Sequence, residues 1–364
     1  MIQKVFSIMI GIRSKFFKMK NYNILIVLLL ISISSCKTAY ISIQVLKPAP
    51  ITLPADIRTI AFINRSLPDK KDRLQNVVEG ALTGEALFAD RIGSEECIKG
   101  VINGLSDSPR FKAIMPGNVD IRGTGTRQFP KPLDWDMVNQ ICKSNNVDAL
   151  ACLEVFDSDE RIGVSDRKVT KKEKDQEITY IEYTASLNVN VESGWRIYFP
   201  ATSEILDEHI YNDSKSWVNT SDARKKAEQG LPTKDHAVSD AGFYAGNQFA
   251  IRISPRWIWV NREYFKKGNN DFEQARRLVQ VNDWKGARAL WEKYVTSSNP
   301  KIAGFACYNM ALACEMDGDL EKAIDWAKKA FTDYNVKSAR NYANILQHRL
   351  DEQSRLDEQM KGVQ

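Results

Sequence analysis

The sequence predicts an α+β chain: a mixed sheet with helices packed on it, followed by an all-α domain of helical hairpins. Three observations predict it. Between Ile57 and Val260, short β-branched runs alternate with segments of helical period. Their order is strand, helix, strand, helix, three strands, helix and strand, which implies a sheet covered by helices. From Asn269 onward the apolar period is continuously helical, and Asn282-Asp283-Trp284-Lys285-Gly286-Ala287 matches Gly318-Asp319-Leu320-Glu321-Lys322-Ala323, the two alanines standing 36 residues apart.

Residues 1–35 read as a secretory leader. A basic stretch with Lys15, Lys18 and Lys20 meets the apolar run Ile24–Ile31, then Ile33-Ser34-Ser35-Cys36. The apolar run is too short for a membrane span, which needs roughly 20 residues. Met19–Ser35 alone makes a complete leader. The formal charge of +5 belongs to this segment: Lys4, Arg13, Lys15, Lys18 and Lys20 stand there without an acid. Taking those five from the 51 Lys+Arg leaves 46 against 46 Asp+Glu. A neutral remainder argues against nucleic acid as a partner, which wants a concentrated basic surface.

Residues 36–56, with Pro48, Pro50 and Pro54, read as a tether with an edge strand near Ile41–Val45. The α+β domain spans 57–265. Ile57–Ile63 is a buried strand, Ile92–Leu105 a helix closed by Ser108-Pro109, and Phe111–Met115 a second strand. Residues 116–132 hold three Gly and three Pro and read as a loop. Asp134 caps a helix with Trp135, Val138, Ile141 and Cys142 on one face, ended by Asn145-Asn146. Val147–Phe156 is a strong strand, and the charged stretch Asp157–Glu177 is expected to be a solvated hairpin loop. Ile178–Phe199 alternates as a half-buried strand, and Glu204–Val218 follows the turn at Pro200–Ser203. Asp235–Ile251 is helical, and Arg256–Val260 finishes the domain as a short strand.

Residues 266–364 form the helical part, with a long final helix over 337–361. Such an array needs a capping helix with a polar outer face. Two hairpins are few for independent stability, so docking is expected near Trp257, Trp259, Tyr264 and Phe265.

The chemistry-bearing residues are sparse. No GxSxG, HExxH, Walker loop or paired CxxC occurs, and the three histidines, His209, His236 and His348, lie far apart. A zinc site wants three or four convergent ligands, so no metal and no cofactor are expected. Five cysteines follow Cys36: Cys97, Cys142, Cys152, Cys307 and Cys314. Their odd number and wide spacing do not make a disulfide framework. Gly123-Thr124-Gly125-Thr126-Arg127 lacks the strand–loop–helix context of an anion cradle, and Asp157 and Asp159 sit in a charge-rich stretch, so no catalytic residue is nominated. Trp257 and Trp259 alternate along a strand and share a face. Core packing explains them most simply, and a partner surface is the sharper reading.

Four resemblances add to this. The Ser34-Ser35-Cys36 junction resembles the lipobox of bacterial lipoproteins. It implies a diacylglycerol on Cys36, removal of residues 1–35, and an envelope location. Lys37 in place of Asp after the cysteine implies delivery to the outer membrane, facing the periplasm. The helical part resembles the tetratricopeptide repeat, whose period is about 34 residues. That resemblance places Ala275, Ala311, Ala287 and Ala323 where helices cross closely, with Trp291 and Ala327 one turn on, and Tyr294 and Ala330 beyond them. Leu278 and Cys314 follow the first-helix alanines. Asp271 and Cys307 depart from the family's usual aromatic position, and Pro300 is displaced by one residue. The whole order is similar to a family of Gram-negative lipoproteins with no assigned activity. More weakly, 57–265 resembles the domain of the curli-secretion lipoprotein and of lipoproteins that activate cell-wall synthases. Together they imply a lipid-anchored, non-enzymatic scaffold that binds a membrane through Cys36 and a protein partner through the repeats. An oligomeric secretion component akin to the curli pore is the alternative, and an envelope hydrolase a third.

Overall fold

The computed structural model describes residues 37–68, 84–117, 119–125, 127–173 and 176–363. The leader, Cys36 and Thr126 lie outside the described residues. The first elements are β1 (Thr38–Lys47), β2 (Thr59–Asn64), α1 (Gly84–Gly104), β3 (Lys112–Ile114) and α2 (Trp135–Asn145). Next come β4 (Ala149–Glu173), β5 (Gln176–Phe199), β6 (Glu204–Ser221), α3 (Arg224–Gln229), α4 (Lys234–Ile253) and β7 (Arg256–Phe265). The rest is helical: α5 (Asn270–Gln280), α6 (Trp284–Glu292), α7 (Pro300–Met316), α8 (Leu320–Thr332) and α9 (Lys337–Gln359). The chain is α+β, and it divides into two compact units.

The sheet unit comprises Leu46–Ile258 and the chain from Glu352 onward. Its five strands run β3-β2-β4-β5-β6. β2 is parallel to both β3 and β4, and β5 is antiparallel to β4 and β6. The period-2 alternation of β2 splits its side chains between two cores. Ile60 and Phe62 join the core with α1 and α4, whereas Ala61 and Ile63 join the core with α2. In the larger core Trp195 stacks on Phe249 at 4.2 Å and meets Phe62 edge-on at 6.2 Å. Helices α1 and α4 cross at glycine. A Cβ at Gly246 would stand 1.9 Å from the Cys97 carbonyl oxygen, and one at Gly100 would stand 2.1 Å from that of Phe243. Within this unit the Gln359 amide ties down the chain before β2: it accepts from Ala49 N at 2.8 Å and donates to Ala49 O at 2.9 Å.

The helical unit comprises the described chain up to Val45 and Trp259–Asp351. β1 and β7 pair in a two-stranded sheet. The hairpins α5–α6 and α7–α8 turn in the same way. Asn282 (φ 62°) and Gly318 (φ 79°) take the left-handed conformation. Asp283 then caps α6 by accepting from Gly286 N, and Asp319 caps α8 by accepting from Lys322 N. Pro300 opens α7 behind the Asn299 cap, a position where its missing N–H costs nothing.

The structure departs from the sequence expectations in three places. Asp157–Glu177 is not a hairpin loop. β4 runs unbroken to Glu173 and β5 begins at Gln176, with paired register throughout. Charged side chains there alternate with Ile162, Val164 and Val169, and an extended ribbon keeps both its faces wet, so charge and strand coexist. β7 does not finish the five-stranded sheet. It continues to Phe265 and pairs with β1. The edge strand expected near Ile41–Val45 is present and longer, as β1 over Thr38–Lys47. Asp134 precedes α2 as expected, but its side chain makes no cap hydrogen bond.

Candidate functional site

The residues nominated from the repeat sit in one core. Ala275, Ala287, Ala311, Ala323 and Ala327 are fully buried, as are Trp291 and Ala330. Small side chains let the paired helices approach, and Trp291 fills the space between them and Tyr264, with ring centroids 6.5 Å apart. Cys307 and Cys314 are buried there with free thiols, and burial pushes the Cys307 thiol up to about 11, which makes it a poor nucleophile.

Helix α7 is apolar on every side, and each residue from Ala306 to Glu315 is buried. Its two buried polar or charged residues, Asn309 and Glu315, define what the helix does. Asn309 Nδ2 donates to the Phe265 carbonyl at 2.7 Å, and its Oδ1 accepts from the Phe265 N–H at 2.8 Å. The Phe265 ring lies on Phe305, 3.8 Å away and tilted by 8°, with Tyr308 edge-on at 5.2 Å. One face of α7 is thus occupied by the chain's own strand β7.

Glu315 is the second polar member. Arg262 donates three hydrogen bonds to it at 2.8–3.1 Å, Tyr342 Oη donates at 2.5 Å, and Arg349 pairs with it as well. Burial works to raise its pKa, but the Arg262 hydrogen bonds and charge, with Tyr342 and Arg349, outweigh burial and hold the carboxyl below its ordinary value. The sheet unit holds a similar set with the opposite outcome. Glu154 accepts from Arg65 at 2.9 and 3.2 Å and from Tyr198 Oη at 2.9 Å, with Arg196 at 3.7 Å. Here burial prevails and the Glu154 pKa is raised. Both carboxylates are fully buried among their partners.

The remaining nominated residues lie apart. Trp257 and Trp259 are 53% and 68% exposed, so core packing does not explain them. Asp157 and Asp159 share one guanidinium, Arg127, at 2.5 and 3.1 Å. They line a cleft of about 360 Å³ with Arg161, Asn190, Glu192 and Asp213. Two acids held by one cation are not poised as separate acid and base. His209 and His236 are exposed, and His209 rests against Tyr211 at 4.7 Å. Among the described residues no group of three His, Cys, Asp or Glu is placed to hold a metal. Asn309, Glu315 and Glu154 were missed by sequence reasoning. The signal for Glu315 was present: it stands 36 residues after the buried Val279, where the repeat calls for an apolar residue.

Fold and site together define a two-part protein, an α+β sheet unit and a helical-hairpin unit with no assembled catalytic constellation among the described residues. Residues 57–265 match the family described as a domain of unknown function (DUF8603), and the chain belongs to that family. Residues 273–348 match a second domain of unknown function (DUF6340), which covers the hairpins. No curated protein matches the chain.

Proposed function

We propose that the protein is an envelope lipoprotein, acylated at Cys36, that works as a protein-interaction or assembly scaffold and not as an enzyme. The observation that carries this reading is the order of basic leader, short apolar run and Cys36 ahead of two folded units. The tetratricopeptide-like hairpins supply a rigid helical body of the kind used for docking. Trp257 and Trp259 supply an exposed aromatic pair, the residue type that dominates binding hot spots. Delivery to the outer membrane, facing the periplasm, follows from Lys37. The experiment is crosslinking in intact cells with Cys36→Ala beside the parent. The parent should sediment with membranes and give a discrete protein adduct. Cys36→Ala should appear in the soluble fraction. A membrane-bound Cys36→Ala chain, or a parent with no adduct, contradicts the reading.

The secretion-pore alternative draws support from the length of β4, β5 and β6. It needs one face of these strands to meet lipid. Alternation puts Asp166, Lys168 and Lys172 on one face of β4 and Arg161, Arg167 and Lys171 on the other, which argues for the scaffold.

A further inference from the structure

Strand β4 leaves its sheet with one edge uncovered. β2 pairs with it only over Ala149–Leu153, whereas β5 follows its other edge to Glu173. The base of the free edge is covered. Asp90 accepts from Ser158 N at 3.0 Å and from its Oγ at 2.7 Å, Arg127 bridges Asp157 and Asp159, and Lys234 pairs with Glu160. From Arg161 to Thr170, no backbone hydrogen bond among the described residues closes the edge. Ser158 N points away from β5 and the register has no break beyond Val155. So Ile162, Val164, Asp166 and Lys168 present their N–H and C=O groups outward. The open run spans roughly 30 Å.

Such an edge invites another strand, and scattered charge is the usual defence. Here the charges are sorted by sign. Asp90, Asp157, Asp159 and Glu160 gather at the base, where they stand against Arg127, Arg161 and Lys234. Lys168, Lys171 and Lys172 gather at the far end, exposed and without an ion pair to any described residue. A sorted edge is complementary to itself when a second copy lies antiparallel. A two-fold axis at Ser165, the middle of the open run, sets Asp159 opposite Lys171, Arg161 opposite Val169, Ile162 opposite Lys168 and Val164 opposite Asp166. No like charges then face each other between Asp159 and Lys171. Parallel pairing of two copies would set lysine beside lysine.

The ribbon itself needs a neighbour. β6 ends opposite Tyr183, so Arg167–Glu173 and Gln176–Glu182 form two strands alone. An isolated two-stranded ribbon is marginal in water, and Ile178 and Ile181 stand exposed on it, with Ile162 exposed on β4 ahead of it. We infer that two copies of this chain pair antiparallel along β4 around Ser165, joining their sheets into one by an isologous interface. This goes beyond the scaffold reading and does not depend on lipidation.

The test uses the purified full chain. Ser165 faces its own copy at a non-hydrogen-bonded position, where Cα atoms are about 4.5 Å apart, within disulfide reach. Ser165→Cys should oxidise to a covalent dimer, while Ser186→Cys on the middle strand β5 should not. The five described native cysteines are buried, and the parent chain reports any background. In light scattering the parent should be a dimer. Asp159→Lys should weaken it roughly tenfold, and Asp159→Lys with Lys171→Asp should restore it. A monomeric parent, a ring of more than two copies, or Ser165→Cys crosslinking no faster than Ser186→Cys overturns the inference.

Discussion

Asn309 reads the backbone of Phe265 with both ends of its amide, donating at 2.7 Å and accepting at 2.8 Å. The last residue of strand β7 is held against helix α7 by one side chain acting as a surrogate ladder. All four groups are buried, so none is resatisfied by water if the partner goes.

Asn309→Ala should therefore cost the helical unit about 2–4 kcal/mol, because it orphans a buried N–H and a buried C=O. Denaturant melts read it as a lower midpoint at unchanged slope. An unchanged midpoint would show that the Asn309 bonds add nothing to the Phe265 stacking, the β1 pairing and the Arg262–Glu315 contacts that also hold β7.

The two buried glutamates respond to pH in opposite senses. Glu315 is held below its ordinary value of 4.5. Its contribution is complete above that value and is lost as pH falls through the lower folded value. Glu154 is raised above 4.5. Its contribution is complete below that value and is lost as pH rises through the higher folded value. Acidification should loosen the helical unit before the sheet unit, read by thermal melts across a pH series. Glu315→Gln should cost about 3–5 kcal/mol at neutral pH by leaving Arg262 and Arg349 without their counter-charge. It should also flatten the acid dependence.

Asp90 gives a third pH test. Burial raises its carboxyl from 3.8 to about 6, opposed by its hydrogen bonds from Ser158. A raised acid stabilises the fold below its unfolded value, and that contribution is lost as pH climbs toward 6. Asp90→Asn keeps an acceptor for Ser158 and removes the buried charge. It should add about 2 kcal/mol above pH 6 and abolish the slope below it. Equal slopes for parent and variant would contradict this.

Gly246→Ala should separate α1 from α4, since its Cβ would lie 1.9 Å from the Cys97 carbonyl oxygen and 2.8 Å from Val101 N. A loss of about 3 kcal/mol is expected, the upper range for overpacking. Gly117→Ala has no atom within 4 Å of the new Cβ and should be neutral.

Much of the architecture was legible because local pattern and burial agree. The β-branched run ending at Ile63 sits between two cores and reads as a strand in any window. Ala287 and Ala323 repeat because both hairpins close at the same depth. The ribbon was not legible. With both faces wet, its few apolar residues form no buried stripe, and only cross-strand pairing, continuous from Asp157↔Glu192 to Glu173↔Gln176, makes it extended. Arg224–Gln229 is a helix too short to show a period. Asn309 and Glu315 escaped notice because a polar residue inside an apolar helix signals its partner only once β7 and α9 are in place.

The central claim is a folded, two-part body held to a membrane by lipid on one cysteine. Intact-mass analysis of the amino-terminal peptide from membranes tests it most directly. The account predicts a chain beginning at Cys36 and heavier by a diacylglycerol and an acyl group. A chain that still carries residues 1–35 with Cys36 unmodified would contradict it.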